Sequence, residues 1–324
     1  MQEQRLIWVD RMRGLAILSV VIQHLTYYYQ NEFVYHKFIG ISNMAVFFFI
    51  SGFIWEKTAK VNTAKEGLSY LWKKTIQIML PFIVWTFLVY PYFFQTNWKV
   101  WSFKEIVNEF TEPHLWFLLT LYGYCFYFVA FRLINRWGGV KSGVAFWTIS
   151  FIVLGAIWYK FGIFKLAALY MPYFAIGTLV PKNNIMETVS SNKFVTTIAL
   201  SSIFLLMNFW NSGHTSLTNI ALKVLVSLAT ILIVYVICTK LNWNRLWDCF
   251  IIECGKCSLA IYIMHWSFLH IFDEKPMIVQ NELIAFVPIL VIAVIICYAC
   301  MLLKNIIQLF PTADLVLFGN KKRR

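Results

Sequence analysis

Near the start of the chain, the apolar stretch RGLAILSVVIQH opens with Arg13 and closes with His24. Eleven positions at 3.6 residues per turn come close to three full turns, so on a helix both side chains project from about the same face. The rise between them is roughly 16 Å, about half of a hydrocarbon core some 30 Å thick. A guanidinium at one depth can grip an anion through paired hydrogen bonds. An imidazole at the other can take or give a proton near neutral pH. A polar ring inside a membrane span is costly unless it faces the bundle interior or a water-filled cavity, so His24 is expected to be functional. Hydrogen bonding between helices is the alternative. Arg13 also has a plainer reading, as a cytoplasmic anchor behind an Asp10 N-cap.

The elements that must carry these residues follow from composition. Of the 324 residues, 60% are hydrophobic and only 13% charged, against roughly a quarter charged in soluble proteins. The expected fold is all-α, a polytopic membrane helix bundle forming a single membrane-embedded domain over residues 1–324 with no soluble domain. About ten spans fit the apolar runs: Gly14 to Tyr29, Ile39 to Trp55, Thr75 to Phe94, His114 to Ile134, Gly143 to Trp158, Phe164 to Val180, Phe194 to Trp210, Asn219 to Thr239, Cys257 to Phe272 and Leu283 to Ile307. An even count puts both termini on one side. With that side cytoplasmic, about 21 of the Lys and Arg residues lie inside and about 7 outside, as basic loops require. The net charge of +13 is therefore read as orientation in the bilayer and not as a nucleic-acid surface, because the basic residues are spread over many loops. The N-terminal segment lacks a cleavage site after its first apolar run, which is expected to stay as a span.

Seven cysteines, most within or beside apolar runs, imply no disulfide framework. Cys254 and Cys257 form a C-x-x-C, but a structural zinc site needs four ligands and no second pair stands at suitable spacing, so no metal is expected. Pro81, Pro172 and Pro288 fall inside spans, where kinks are expected.

Four stretches, VDRMRGLAILSVVIQH, VFFFISGF, HLWFLLTLYGY and GKCSLAIYIMHW, resemble in order the signatures of the membrane acyltransferase family 3, and closest to them is its short polysaccharide O-acetyltransferase branch. Members are multi-pass bacterial membrane proteins that move an acyl group, usually acetyl, from coenzyme A to a carbohydrate hydroxyl. The resemblance implies an enzyme of the cell (inner) membrane with acetyl-CoA, or another acyl-CoA, as donor. It makes Arg13 and His24 the essential pair and Asp10 the acidic residue ahead of the arginine. Ser51 and Gly52 correspond to the Ser-Gly of the second span, His114 with Trp116 and His265 with Tyr262 to the later signatures. Many members carry an acidic residue where Ala45 stands, and a basic one near Gln77.

A sugar hydroxyl needs its proton removed as it attacks a thioester, work suited to a histidine base such as His24. The anionic donor would meet Arg13, Lys73 and Lys74 at the inner face and extend its thioester arm toward His24. In this topology all six histidines lie in the outer half or outside, which fits an exported or lipid-linked glycan as acceptor. His265, three positions from Tyr262 and on the same face, would donate to the developing oxyanion or position the sugar; ordinary bonding between helices is the other reading. His114, Trp116 and Glu112 would line the acceptor mouth, or else mark a helix start at the interface. The outer stretch YPYFFQTNWKVWSF would stack sugars or belong to the aromatic belt. Ser19 and Ser51 stand in no Ser-His-acid arrangement, so direct transfer is expected over an acyl-enzyme. The competing function is a polysaccharide or small-acid exporter with His24 as proton relay, although no internal symmetry of the transporter kind is visible.

Overall fold

A computed structural model describes residues 6–26, 34–91, 102–111, 114–158, 162–183, 185–209, 217–269 and 282–320. Among them all regular structure is helical. In chain order the helices are α1 (Ile7–Thr26), α2 (Val34–Thr58), α3 (Ala64–Lys74), α4 (Leu80–Val84), α5 (Phe103–Thr111), α6 (Trp116–Trp158) and α7 (Gly162–Asn183). They continue with α8 (Ile185–Ser191), α9 (Lys193–Phe209), α10 (Leu217–Lys240), α11 (Arg245–Lys256), α12 (Ser258–Leu269), α13 (Glu282–Ile307) and α14 (Pro311–Phe318). Trp116–Ser150, Ile220–Lys240 and Ile284–Ile307 are each long and apolar enough to cross a membrane, and Leu166–Pro181, Lys193–Ile203 and Ser258–Leu269 are shorter apolar segments. Multiple apolar helices of this kind mark an integral membrane protein.

Three elements differ from the sequence expectation for identifiable reasons. Helix α1 begins at Ile7, so Asp10 lies in its first turn instead of capping it. The fourth and fifth spans are joined within α6 by a break at Gly139, whose φ of 74° and ψ of −178° belong to a region essentially reserved for glycine. Within the third span, π-helical turns over Thr75–Met79 and Trp85–Val89 flank α4. The Leu80 amide reaches the Thr75 carbonyl five residues back, just ahead of Pro81, which has no amide hydrogen to contribute.

The chain forms two compact units, Met1–Phe53 with Ala175–Asn305, and Ile54–Phe174 with Ile306–Arg324. In the first, α1 is the central element and packs against α10, α11 and α12. Met12, Ile17, Val21 and Leu25 are fully buried along it. Glycine at two positions permits the close crossing of α1 and α11: a Cβ on Gly14 would strike the Ile251 carbonyl, and one on Gly255 the Asp10 carbonyl. Arg11 then forks onto Asp248 through Nε at 2.6 Å and Nη2 at 2.8 Å, and its Nη1 donates to the Cys238 carbonyl at 2.8 Å. In the same unit Gly177 brings α7 onto the backbone of Phe49 and Phe53.

In the second unit, a capping box between Thr63 and Glu66 starts α3. Arg132 donates to the Glu56 carboxylate and the Ala59 carbonyl and lies over the Trp55 ring, 4.1 Å from its centroid. Helix α14 is pinned by the Trp85 indole, which donates to the Leu317 carbonyl at 2.9 Å. It ends in Gly319, at φ 68° and pressed on the backbone of Ile76 and Gln77.

Candidate active site

Helix α1 runs unbroken from Arg13 to His24, so the spacing argument for a shared face applies to it directly. Both side chains are half-buried. Opposite His24 stands α12, whose His265 is only 2% exposed. The His24 Nδ1 and the His265 Nε2 are 2.8 Å apart, a hydrogen bond across 241 positions of sequence. The two rings are nearly parallel, 5° between planes. The other ring nitrogen of His265 is held within its own helix, Nδ1 standing 2.9 Å from the Ile261 carbonyl. Trp266 presents its ring edgewise to His24 with centroids 4.8 Å apart, and Tyr262 lies buried beside His265 at 6.2 Å. Two imidazoles in direct contact, flanked by aromatic rings, form a site that can hold and pass a proton away from bulk water.

The remaining residues singled out in the sequence are placed as follows. Asp10 is buried, with its carbonyl against Gly255. Ser51, half-buried, and Gly52, buried, lie in α2 where Gly177 draws α7 close. These belong to the same unit as the imidazole pair. Lys73, Lys74, His114 and Trp116 belong to the other unit. Lys73 is exposed at the end of α3, and Lys74 bonds Gln77 at 3.2 Å and sits over the Tyr70 ring. His114 is largely exposed, with Nδ1 4.0 Å from the Glu109 carboxylate, and Trp116 stacks on Tyr170 at 5.5 Å. Glu112, His214, His270, the closing KKRR and residues 92–101 of the aromatic stretch lie outside the described residues.

Sequence reasoning missed three features. Trp266 reads as one more interfacial aromatic, and its contact with His24 appears only on folding. Arg11 and Asp248 carry no pairing signal in sequence. A second C-x-x-C, Cys297 and Cys300, is hidden in the apolar run of α13, and all four thiols of the two motifs are buried. Among the described residues, no three His, Cys, Asp or Glu side chains converge to hold a metal ion.

A membrane protein whose described regular structure is all helical, with an imidazole pair joining two of its helices, is the class this geometry defines. The chain belongs to the acyltransferase 3 family: residues 6–302 match that family's acyltransferase domain. It is therefore a membrane acyltransferase, and membership implies an acyl donor. No curated protein and no solved structure matches it.

Proposed function

We propose that the protein transfers an acyl group, acetyl in the first instance, from acyl-CoA to a hydroxyl of a cell-surface or lipid-linked carbohydrate at the bacterial cell membrane. The observation that carries this reading is the His24 imidazole, hydrogen-bonded at 2.8 Å on the helix that also bears Arg13, in a chain of this family. His24 removes the hydroxyl proton as the oxygen attacks the thioester carbonyl. Collapse of the tetrahedral adduct breaks the C–S bond. The proton then passes from the imidazolium to the departing thiolate, leaving an ester and free coenzyme A. Arg13, about 16 Å away along α1, suits the anionic head of the donor, because a guanidinium pairs with phosphate through two parallel hydrogen bonds. Asp10, Ser51 and Gly52 support the helices that present the site.

Purified protein in detergent, supplied with acetyl-CoA and an extract of cell-envelope glycans, should release free thiol in step with acetyl incorporation. His24→Ala is expected to lower transfer by roughly 10²- to 10⁴-fold while inserting and melting as the wild type does. Arg13→Ala is expected mainly to raise KM for the thioester. Thiol release unaffected in both variants, or glycan flux across vesicles without any thiol release, would reject the assignment.

A further inference from the structure

The hydrogen-bond chain that ends on His24 has a direction. A carbonyl oxygen only accepts, so the His265 Nδ1, 2.9 Å from the Ile261 carbonyl, carries its ring hydrogen. In a neutral His265 the lone pair is then on Nε2, which faces the His24 Nδ1 at 2.8 Å. Two lone pairs cannot share that gap, so the His24 Nδ1 carries a hydrogen as well. A neutral His24 therefore holds its lone pair on Nε2. Ionisation of either ring within the spans is opposed by the cost of charge there, which favours this neutral ordering.

We infer that His265, anchored by the Ile261 carbonyl, is a positioning residue that fixes His24 as its Nδ1–H tautomer and so makes Nε2 the atom that accepts the substrate proton. The inference rests on the proposed acyl transfer for its catalytic consequence, but not for the tautomer itself. It assigns His265 to His24 and not to an oxyanion or a sugar, since both ring nitrogens are already engaged. Here a neutral imidazole accepts the Nδ1–H bond that a carboxylate accepts in a His-acid pair. During transfer the hydroxyl proton moves to the His24 Nε2 and the Nδ1–H bond to His265 persists. The imidazolium then returns its Nε2 proton to the leaving thiolate, and His265 ends neutral, as it began. The Trp266 edge contact limits rotation of the His24 ring that would exchange its two nitrogens.

Nitrogen-15 NMR of histidine-labelled full-length protein in detergent distinguishes protonated from unprotonated ring nitrogens, with His24→Ala and His265→Ala spectra supplying the assignments. The wild type at neutral pH should show His24 with hydrogen on Nδ1 and a bare Nε2. In His265→Ala that preference should be lost, with the Nε2–H form appearing. His265→Gln keeps an acceptor oxygen near the position of Nε2, so it should retain the Nδ1–H form and have a kcat roughly 10-fold above that of His265→Ala, with KM for the thioester unchanged in both. A wild-type His24 with its hydrogen on Nε2 overturns the inference, as does a Gln variant no more active than the Ala variant at equal folded fraction. If the wild type transfers no acyl group, the proposed function fails while the tautomer spectrum still decides the assignment.

Discussion

At the scale of single residues, Arg11 and Arg13 stand two positions apart on α1. Arg11 is committed to structure: its fork onto Asp248 and its bond to the Cys238 carbonyl tie α1 to α10 and α11. The bond from Arg11 holds the Asp248 carboxyl below its ordinary value of 3.8, and the same bond pushes the Arg11 guanidinium higher still. A depressed carboxylate pKa stabilises the fold above the unfolded value, and that contribution is lost as pH falls through the folded value. The melting difference between the wild type and Asp248→Asn should therefore be constant through neutral and weakly acidic pH, corresponding to about 1 kcal/mol. It should close once pH drops below the ordinary aspartate range. A difference that widens on acidification would contradict the pairing. Arg11→Lys should recover little of it, because one ammonium cannot reproduce two parallel bonds.

At the scale of elements, glycines in this chain act by two separable mechanisms. Gly14 and Gly255 let the backbones of α1 and α11 approach closely, and the atoms an added Cβ would strike are carbonyl oxygens that cannot swing aside. Gly14→Ala and Gly255→Ala should each cost about 1 to 3 kcal/mol by overpacking, read as lost thermal stability in detergent. The double variant should be non-additive, since both residues share one interface. Gly139 has nothing within 4 Å of its would-be Cβ, so only its positive φ matters, at about 1 to 3 kcal/mol. Gly139→Ser should then cost the same as Gly139→Ala, whereas Gly14→Ser should cost more than Gly14→Ala. Helix α11 also shows why a segment too short and charged to be a span escaped notice. Its apolar side, with Ile251, Cys254 and Gly255 buried, becomes meaningful only once α1 lies against it.

For the whole molecule, the proposed orientation with both termini cytoplasmic puts α11 on the inner side. Among the seven cysteines, all of them described, Cys249 on α11 is exposed and the other six are buried. A membrane-impermeant maleimide should leave intact cells unlabelled and react at a single site after permeabilisation, with Cys249→Ser abolishing the signal. Labelling of intact cells would invert the topology. The positive-inside bias that supports this orientation is a sum over many loops, which makes it readable without any knowledge of contacts.

Apolar run lengths, sparse charge and the Arg13 to His24 spacing were legible in the amino-acid sequence because they are local: hydrocarbon thickness and helical rise convert residue count directly into depth. His265 was legible as a polar ring in a span, and for the same reason. That it pairs with His24, and through which nitrogen, was decided by tertiary structure, because the two rings are 241 positions apart and meet only where α1 packs on α12. The Arg11 to Asp248 fork, which joins residues 237 positions apart, shares that origin. Hydropathy records how much each segment avoids water, whereas a hydrogen-bond partner is chosen by which helix faces come together.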